Sequence, residues 1–442
     1  MLALHAVTSR AATTVTNIAA GGYHSLFLKS DGSFWAMGLN NYGQLGDGTT
    51  SFNVNRPGQI VSGNVVTIAG GLDHTLFLKS DGSLWAMGRG TEGELGDGTY
   101  ANTNQPEQIV SSDVIAIAAG DQHSLFLKSD GSLWGMGYNN SGQLGDGTAS
   151  EVNTPEQIIS NNVVAIAAGG AHSLFLESDG SLWAMGYNGY GELGDGTTSN
   201  TNRPEQIVSS NVVVVAAGVY YSLFLKSDGS LWGMGANPYS TTSQPEQIVS
   251  SNVVAIAAGG AHSLFLESDG SLWAMGANAS GQLGDGTTTS TNRPEQIVSS
   301  GVTAIAAGRE HSLFLESDGS LWGMGRDDYG PLGDGFHNSS SLPEEVLPLT
   351  QPVLTINIVS IASSTNKQRI IPSQTNLQFN ATCRFGGKFY LLASTNIAQP
   401  LNQWTAIMTN SVSSRSNNNF NATLTNAVNF NPGQQFYILQ SQ

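Results

Sequence analysis

One unit of about 49 residues recurs seven times in this chain, and no other feature restricts its fold as strongly. The fullest copy runs from Val163 to Asn211. The residue before Ser/Thr-Leu-Phe-Leu marks the copies: His24, His74, His123, His172, Tyr221, His262 and His311, spaced by 50, 49, 49, 49, 41 and 49. Seven of the eight tryptophans repeat with it, Trp404 being the exception. In the fullest copy four strand-length runs stand out: A over Val163 to Ala168, B over His172 to Glu177, C over Ser181 to Met185 and D over Glu205 to Val208. B and C are joined by Ser178-Asp179-Gly180, and Asp-Gly between two apolar runs signals a hairpin because glycine reaches positive φ without steric cost. Four antiparallel strands at this period predict an all-β fold, a seven-bladed β-propeller over residues 15–348.

The repeated string Gly-x-x-His-Ser-Leu-Phe-Leu, followed by Asp-Gly-Ser-Leu-Trp-x-Met-Gly-x-Asn-x-x-Gly-x-Leu-Gly-Asp-Gly-Thr, resembles the repeat of the regulator of chromosome condensation (RCC1) family and covers about three quarters of the chain. The resemblance implies the same propeller. It also implies a choice of roles, since the family includes a nucleotide exchange factor for a small GTPase, ubiquitin-ligase subunits and many bacterial proteins. A bacterial β-lactamase inhibitor protein is built on a similar propeller. Fold alone does not select among these roles.

The repeated side chains read as architecture. The histidine is expected at the entrance to strand B, buried and bonded to a backbone group, and its replacement by Tyr221 suits packing better than metal ligation. The seven tryptophans and the seven methionines that follow them (Met37 to Met324) are expected as core between blades. Aspartates of the hairpins and of the Leu-Gly-Asp-Gly loops are expected to make turns, since the alternating oxygen ligands of a calcium loop are missing. There is no Gly-x-Ser-x-Gly, Walker loop, His-Glu-x-x-His or dinucleotide fingerprint, so no catalytic residue, cofactor or metal is expected.

Positions that do not repeat fall on one face. In an A-B-C-D meander the A-B and C-D loops leave one side of the disc, while the B-C hairpin and the D-A connection leave the other. Hairpins and D segments are nearly uniform. The variable loops instead carry Tyr23, Tyr42, Asp73, Arg89, Glu92, Gln122, Tyr138, Tyr187, Tyr190, Tyr220, Tyr239, Arg309, Glu310, Arg326 and Tyr329. Tyrosine and arginine concentrate at binding hot spots because they bury much surface and keep a polar end satisfied, so these fifteen residues form the expected binding face. Unit five lacks the Gly-x-Leu-Gly-Asp-Gly loop and runs from Ala236-Asn237-Pro238-Tyr239 into Gln244-Pro245-Glu246, which notches the rim.

Charge narrows the partner. The net charge of -17 disfavours nucleic acid, which needs a basic surface. No apolar run is long enough for a membrane helix, and a single cysteine, Cys383, leaves the redox compartment open. Residues 1–14 read as an N-terminal stub, expected as the remnant of a truncated signal segment. Residues 349–442 carry no acid and five basic residues, leaving residues 1–348 at -22. Alternating stretches around Tyr390, Trp404 and Tyr437 predict a small β-sandwich there, similar to C-terminal modules of large exported bacterial proteins, which implies export or surface display. The expected function is a non-enzymatic interaction protein whose loop face binds a protein or a glycan. Two alternatives stand beside it: guanine nucleotide exchange on a small GTPase, by family analogy, and an enzyme using Asp73, Asp121, Gln122 and Glu310 at the channel mouth.

Overall fold

Each repeat folds onto itself before it meets its neighbours. The computed structural model describes residues 13–236 and 239–346, and the backbone of five further strands between 377 and 441. In blade four, strands A (Val163–Ala168), B (His172–Glu177), C (Leu182–Gly186) and D (Thr201–Val208) pair antiparallel in sequence order. D begins four residues earlier than the sequence suggests, because bulges between Leu182 and Trp183 and between Ala184 and Gly186 let it follow strand C further. Seven such sheets span residues 15–61, 65–110, 114–159, 163–208, 212–249, 253–298 and 302–345. Strands A stand side by side around the axis, and the first and seventh meet.

The ring closes without exchanging a strand. Residues 340–345 pair with strand C of their own seventh blade rather than completing the first. Closure is instead made by the interblade contacts that recur elsewhere. Arg309 N–H donates to the Gly22 carbonyl at 3.1 Å, Gly335 N–H to the Asn55 carbonyl at 2.9 Å, and His311 Nε2 lies 3.0 Å from Ser25 Oγ. Ile18, Phe27 and Met37 of blade one pack there on Leu313, Leu315 and Leu321 of blade seven.

Interblade cores follow one rule. Between blades two and three, Leu76, Leu78, Leu84 and Leu95 meet Val114, Phe126 and Met136, all buried. Gly96 has φ +75 and a Cβ there would fall 2.5 Å from Met136 Sδ, so the Leu-Gly-Asp-Gly loop of one blade seats the methionine of the next. The tryptophans differ from expectation. Each is only partly buried, stacked at 6.0–6.2 Å on the phenylalanine of its own strand B. Its indole N–H feeds the hairpin: Trp134 Nε1 donates to Ser132 Oγ (2.8 Å), which donates to Asp130 Oδ1 (2.6 Å).

The histidines are fully buried and neutral, but they bond a side chain of the next blade and not a backbone group. His172 Nε2 lies 2.9 Å from Ser222 Oγ, and Ser222 Oγ donates at 2.8 Å to the Glu192 carbonyl. Since the hydroxyl proton is committed to the carbonyl, the imidazole must donate from Nε2, leaving Nδ1 bare. Burial lowers the His172 pKa to about 4. Gly169 explains the Gly-x-x-His pattern, because a Cβ there would lie 2.3 Å from His172 Cε1.

Tyr221 and the unit-five notch are one compensated change. Ser263, the hydroxyl of blade six, faces the shortened loop and donates to Tyr221 Oη at 3.0 Å, and Tyr221 Oη donates to the His262 carbonyl. The longer side chain thus supplies the acceptor that loop carbonyls supply elsewhere. Tyr221→Phe, which strands the buried Ser263 hydroxyl while the His262 carbonyl keeps its bond from Gly259 N–H, is expected to cost about 1–3 kcal/mol in urea denaturation followed by tryptophan fluorescence.

The chain divides into two compact units, residues 1–349 and 350–442. In the second, Leu377–Cys383 pairs with Asn418–Leu424, and Gly387–Ser394 lies between Thr405–Val412 and Phe436–Ser441. The sandwich expected for this unit rests on side chains outside the described residues. Among the described residues no helix is long and apolar enough to cross a membrane.

Candidate binding face

The A-B turns ring the axis. Gly22, Leu72, Asp121, Gly170, Gly260 and Arg309 each donate a backbone N–H to a turn glycine of the following blade, at 2.9–3.3 Å. Inside this collar lies a cavity of about 240 Å³ lined by alanines and glycines together with Leu72, Asp121, Val219 and Arg309. Around it, the C-D loops of blades one, two, four, six and seven meet the A-B turn of the next blade, so these sectors of the face are each built by two blades. The backbone girdle fixes where the variable side chains project, which is what a rigid scaffold does for binding loops.

Three clusters form on this face. In the first, Arg89 is the hub: it pairs with Glu92 (3.1 Å) and lies 3.9 Å from the buried Glu94 and 5.8 Å from the Tyr42 ring centre. With the Gln122 amide oriented to satisfy its hydrogen bonds, its oxygen accepts from Arg89 Nη1 at 2.8 Å. Asp73 adjoins this cluster, accepting from Gln44 Nε2 at 3.4 Å. In the second, Arg326 bonds Glu310 (2.9 Å) and Asp328 (2.8 Å) and sits 5.4 and 5.3 Å from the rings of Tyr23 and Tyr329. Phe52, 62% exposed, packs edge-on to Tyr329. Sequence reading missed Phe52, Glu94 and Asp328, the last two because repeat loops disguise them as turn residues.

The third cluster is purely aromatic at its surface. Tyr187, Tyr190 and Tyr220 have ring centres 5.0–6.5 Å apart, and Tyr190 and Tyr220 are each 46% exposed. Tyr239 stands exposed at the notch, and Tyr138, half-buried, joins none of the three clusters.

At the mouth of the cavity Arg309 Nη1 reaches to 3.8 Å from Asp121 Oδ2 on the far side of the ring. Burial raises the Asp121 pKa to about 6, Arg309 working against it and Asp73 with it. Burial likewise raises that of Asp73. The four residues of the enzymatic alternative therefore separate: Asp73 and Asp121 share the field of Arg309, Gln122 turns to Arg89, and Glu310 to Arg326. Among the described residues no three His, Cys, Asp or Glu are grouped to hold a metal ion.

The opposite face carries something the repeat conceals. A bulge at the second residue of each strand A turns that side chain out. Val66, Ile115, Val164, Val213 and Val254 are each at least 50% exposed and form an apolar row around the hairpin side. Alternation along strand A would have buried them, and only the bulge decides otherwise.

Comparison with known proteins agrees with this geometry. Residues 108–376 match the model of the RCC1-like domain, and residues 31–78 and 81–127 match a regulator of chromosome condensation (RCC1) repeat, as do residues 15–44 and 65–94 in a second repeat model. Human WBSCR16 is similar at 24% identity, covering 72% of this chain and 94% of its own, with a TM-score of 0.65. Prp20p from Saccharomyces cerevisiae is similar at 23% identity, covering 73% and 87%, with a TM-score of 0.66. At these identities the likeness is one of fold.

Proposed function

The chain belongs to the family of RCC1-like domains, and from that premise we propose that it is a non-enzymatic interaction protein that binds a protein partner through the A-B and C-D loop face. One observation carries this reading. The side chains that vary between repeats assemble into tyrosine- and arginine-centred clusters on that face, although they come from loops of different blades. Aromatic surface with satisfied charges at its edge is what a protein interface anchors on. Asp73 and Asp121 stay together beside Arg309, but Glu310 is held by Arg326 and Gln122 by Arg89, and this division of the four weighs against catalysis at the channel mouth. The structure of Prp20p is described together with its binding to Gsp1p and histones, which supports protein recognition as a use of this fold. Export or surface display is the setting we propose, on the resemblance of the C-terminal unit.

The test is affinity capture with the full chain as bait. Tyr190→Ala with Tyr220→Ala is expected to lose partners that wild type retains, with thermal stability little changed since both side chains are about half exposed and lie outside the interblade cores. Val164→Ser with Val213→Ser, on the opposite face, is expected to retain them. The reverse pattern would transfer the binding role to the apolar row.

A further inference from the structure

Blades two and four share the loop Gly-Glu-Leu-Gly-Asp-Gly, at 93–98 and 191–196. Both glutamates are fully buried, and each turns one oxygen onto its own loop: Glu94 Oε2 accepts from Glu92 N–H and Glu192 Oε2 from Tyr190 N–H, both at 2.8 Å. In each the other oxygen, Oε1, has no hydrogen bond. A buried carboxylate oxygen without a partner is costly. Blade two answers this from within, placing Arg89 Nε 3.9 Å from Glu94 Oε1. Arg89 follows Gly88 at the end of strand C, and the matching position in blade four, after Gly186, is Tyr187. Among the described residues no lysine or arginine pairs with Glu192 or lies over any ring of the tyrosine trio.

The other two clusters on the face show the complete arrangement. Each sets one guanidinium against tyrosine rings and carboxylates, Arg89 with Tyr42, Glu92 and Glu94, and Arg326 with Tyr23, Tyr329, Glu310 and Asp328. Blade four supplies the rings and the carboxylate, and replaces the arginine by a tyrosine. Blade five, its neighbour, lacks this loop.

We propose that Tyr187, Tyr190, Tyr220 and Glu192 form a receptor for an arginine side chain of the protein partner, the guanidinium lying against the rings and facing the free oxygen of Glu192. The proposal rests on the loop-face reading above and gives it a ligand chemistry. Guanidinium fits better than ammonium because it is planar, weakly hydrated, stacks on aromatic faces and forks onto carboxylates. The charge of -22 on residues 1–348 favours the approach of a cationic segment.

The full chain labelled with 3-fluorotyrosine, its resonances assigned by single Tyr→Phe variants, would be titrated with N-acetyl-arginine amide and with N-acetyl-citrulline amide, the uncharged analogue of the same shape. Saturable shifts at Tyr187, Tyr190 and Tyr220 with the arginine probe and not with citrulline are expected. Glu192→Gln should weaken them, and Tyr187→Arg, which rebuilds the internal arrangement of blade two, should abolish them at Tyr190 and Tyr220 while leaving the unfolding temperature unchanged. Equal responses to both probes, or a full response in Tyr187→Arg, would overturn the proposal. Should the probe fail while Tyr190→Ala with Tyr220→Ala still loses its partners, the arginine ligand falls and the binding face stands. Partners retained by that double variant would remove the binding face itself.

Discussion

Between pH 7 and about 4 the propeller is expected to lose most of its stability. Six buried histidines, His24, His74, His123, His172, His262 and His311, have pKa values lowered from 6.5 to about 3 or 4, burial being the first cause in every case. The unfolded chain takes up these protons near pH 6.5 and the folded chain does not, so the stabilisation is complete above pH 6.5 and falls with pH until the folded state itself titrates. At about 1.4 kcal/mol per pKa unit, each histidine costs roughly 2 kcal/mol at pH 5. Glu94, Asp121 and Asp327 act in the opposite direction, their pKa values being raised by burial to about 7, 6 and 8. Being raised, they favour the folded state increasingly as pH falls, and offset about half of the loss. The net loss at pH 5, on the order of 5 kcal/mol, is a large share of the ~5–15 kcal/mol that holds a domain folded. Urea midpoints at pH 7.5 and 5.5, read by tryptophan fluorescence, should fall with pH. Equal midpoints would mean that the histidines titrate alike in both states.

Phe126→Ala should destabilise the propeller by about 3–5 kcal/mol, because Phe126 has no exposed surface and fills the seam between blades two and three. Trp134→Ala should cost less, although it removes more atoms. The indole is part-exposed, with Lys128 Nζ 4.2 Å from its ring centre, and its removal opens a surface hollow that water can enter. Urea denaturation of the two variants ranks them, and a larger loss for Trp134→Ala would place the tryptophans in the core after all.

How much of this could be read from the chain alone follows from the distance over which each feature is decided. The hairpins were legible because Asp130-Gly131 and its equivalents settle their turn within four residues. The period near 49 made the blades countable. His172 was misassigned to a backbone partner because Ser222 is 50 residues away, and the role of Tyr221 needs both the notch and Ser263 to be seen together. The binding face was legible as a set of variable positions, while its grouping was not. Nothing local in the sequence says that Arg89 reaches Gln122 or that Tyr220 meets Tyr190. Asp327 shows the same limit: it stands where blades one, three, four and six have asparagine, and faces Asp334 where those asparagines donate to an aspartate.

The central claim is that partners bind the face built by the A-B and C-D loops. Hydroxyl-radical footprinting of the full chain, alone and with a captured partner, tests it most directly. Protection is predicted at Tyr23, Tyr187, Tyr190, Tyr220 and Tyr329, with Val66, Val164 and Val213 modified equally in both samples. Protection of the valines with the tyrosines unchanged would contradict it.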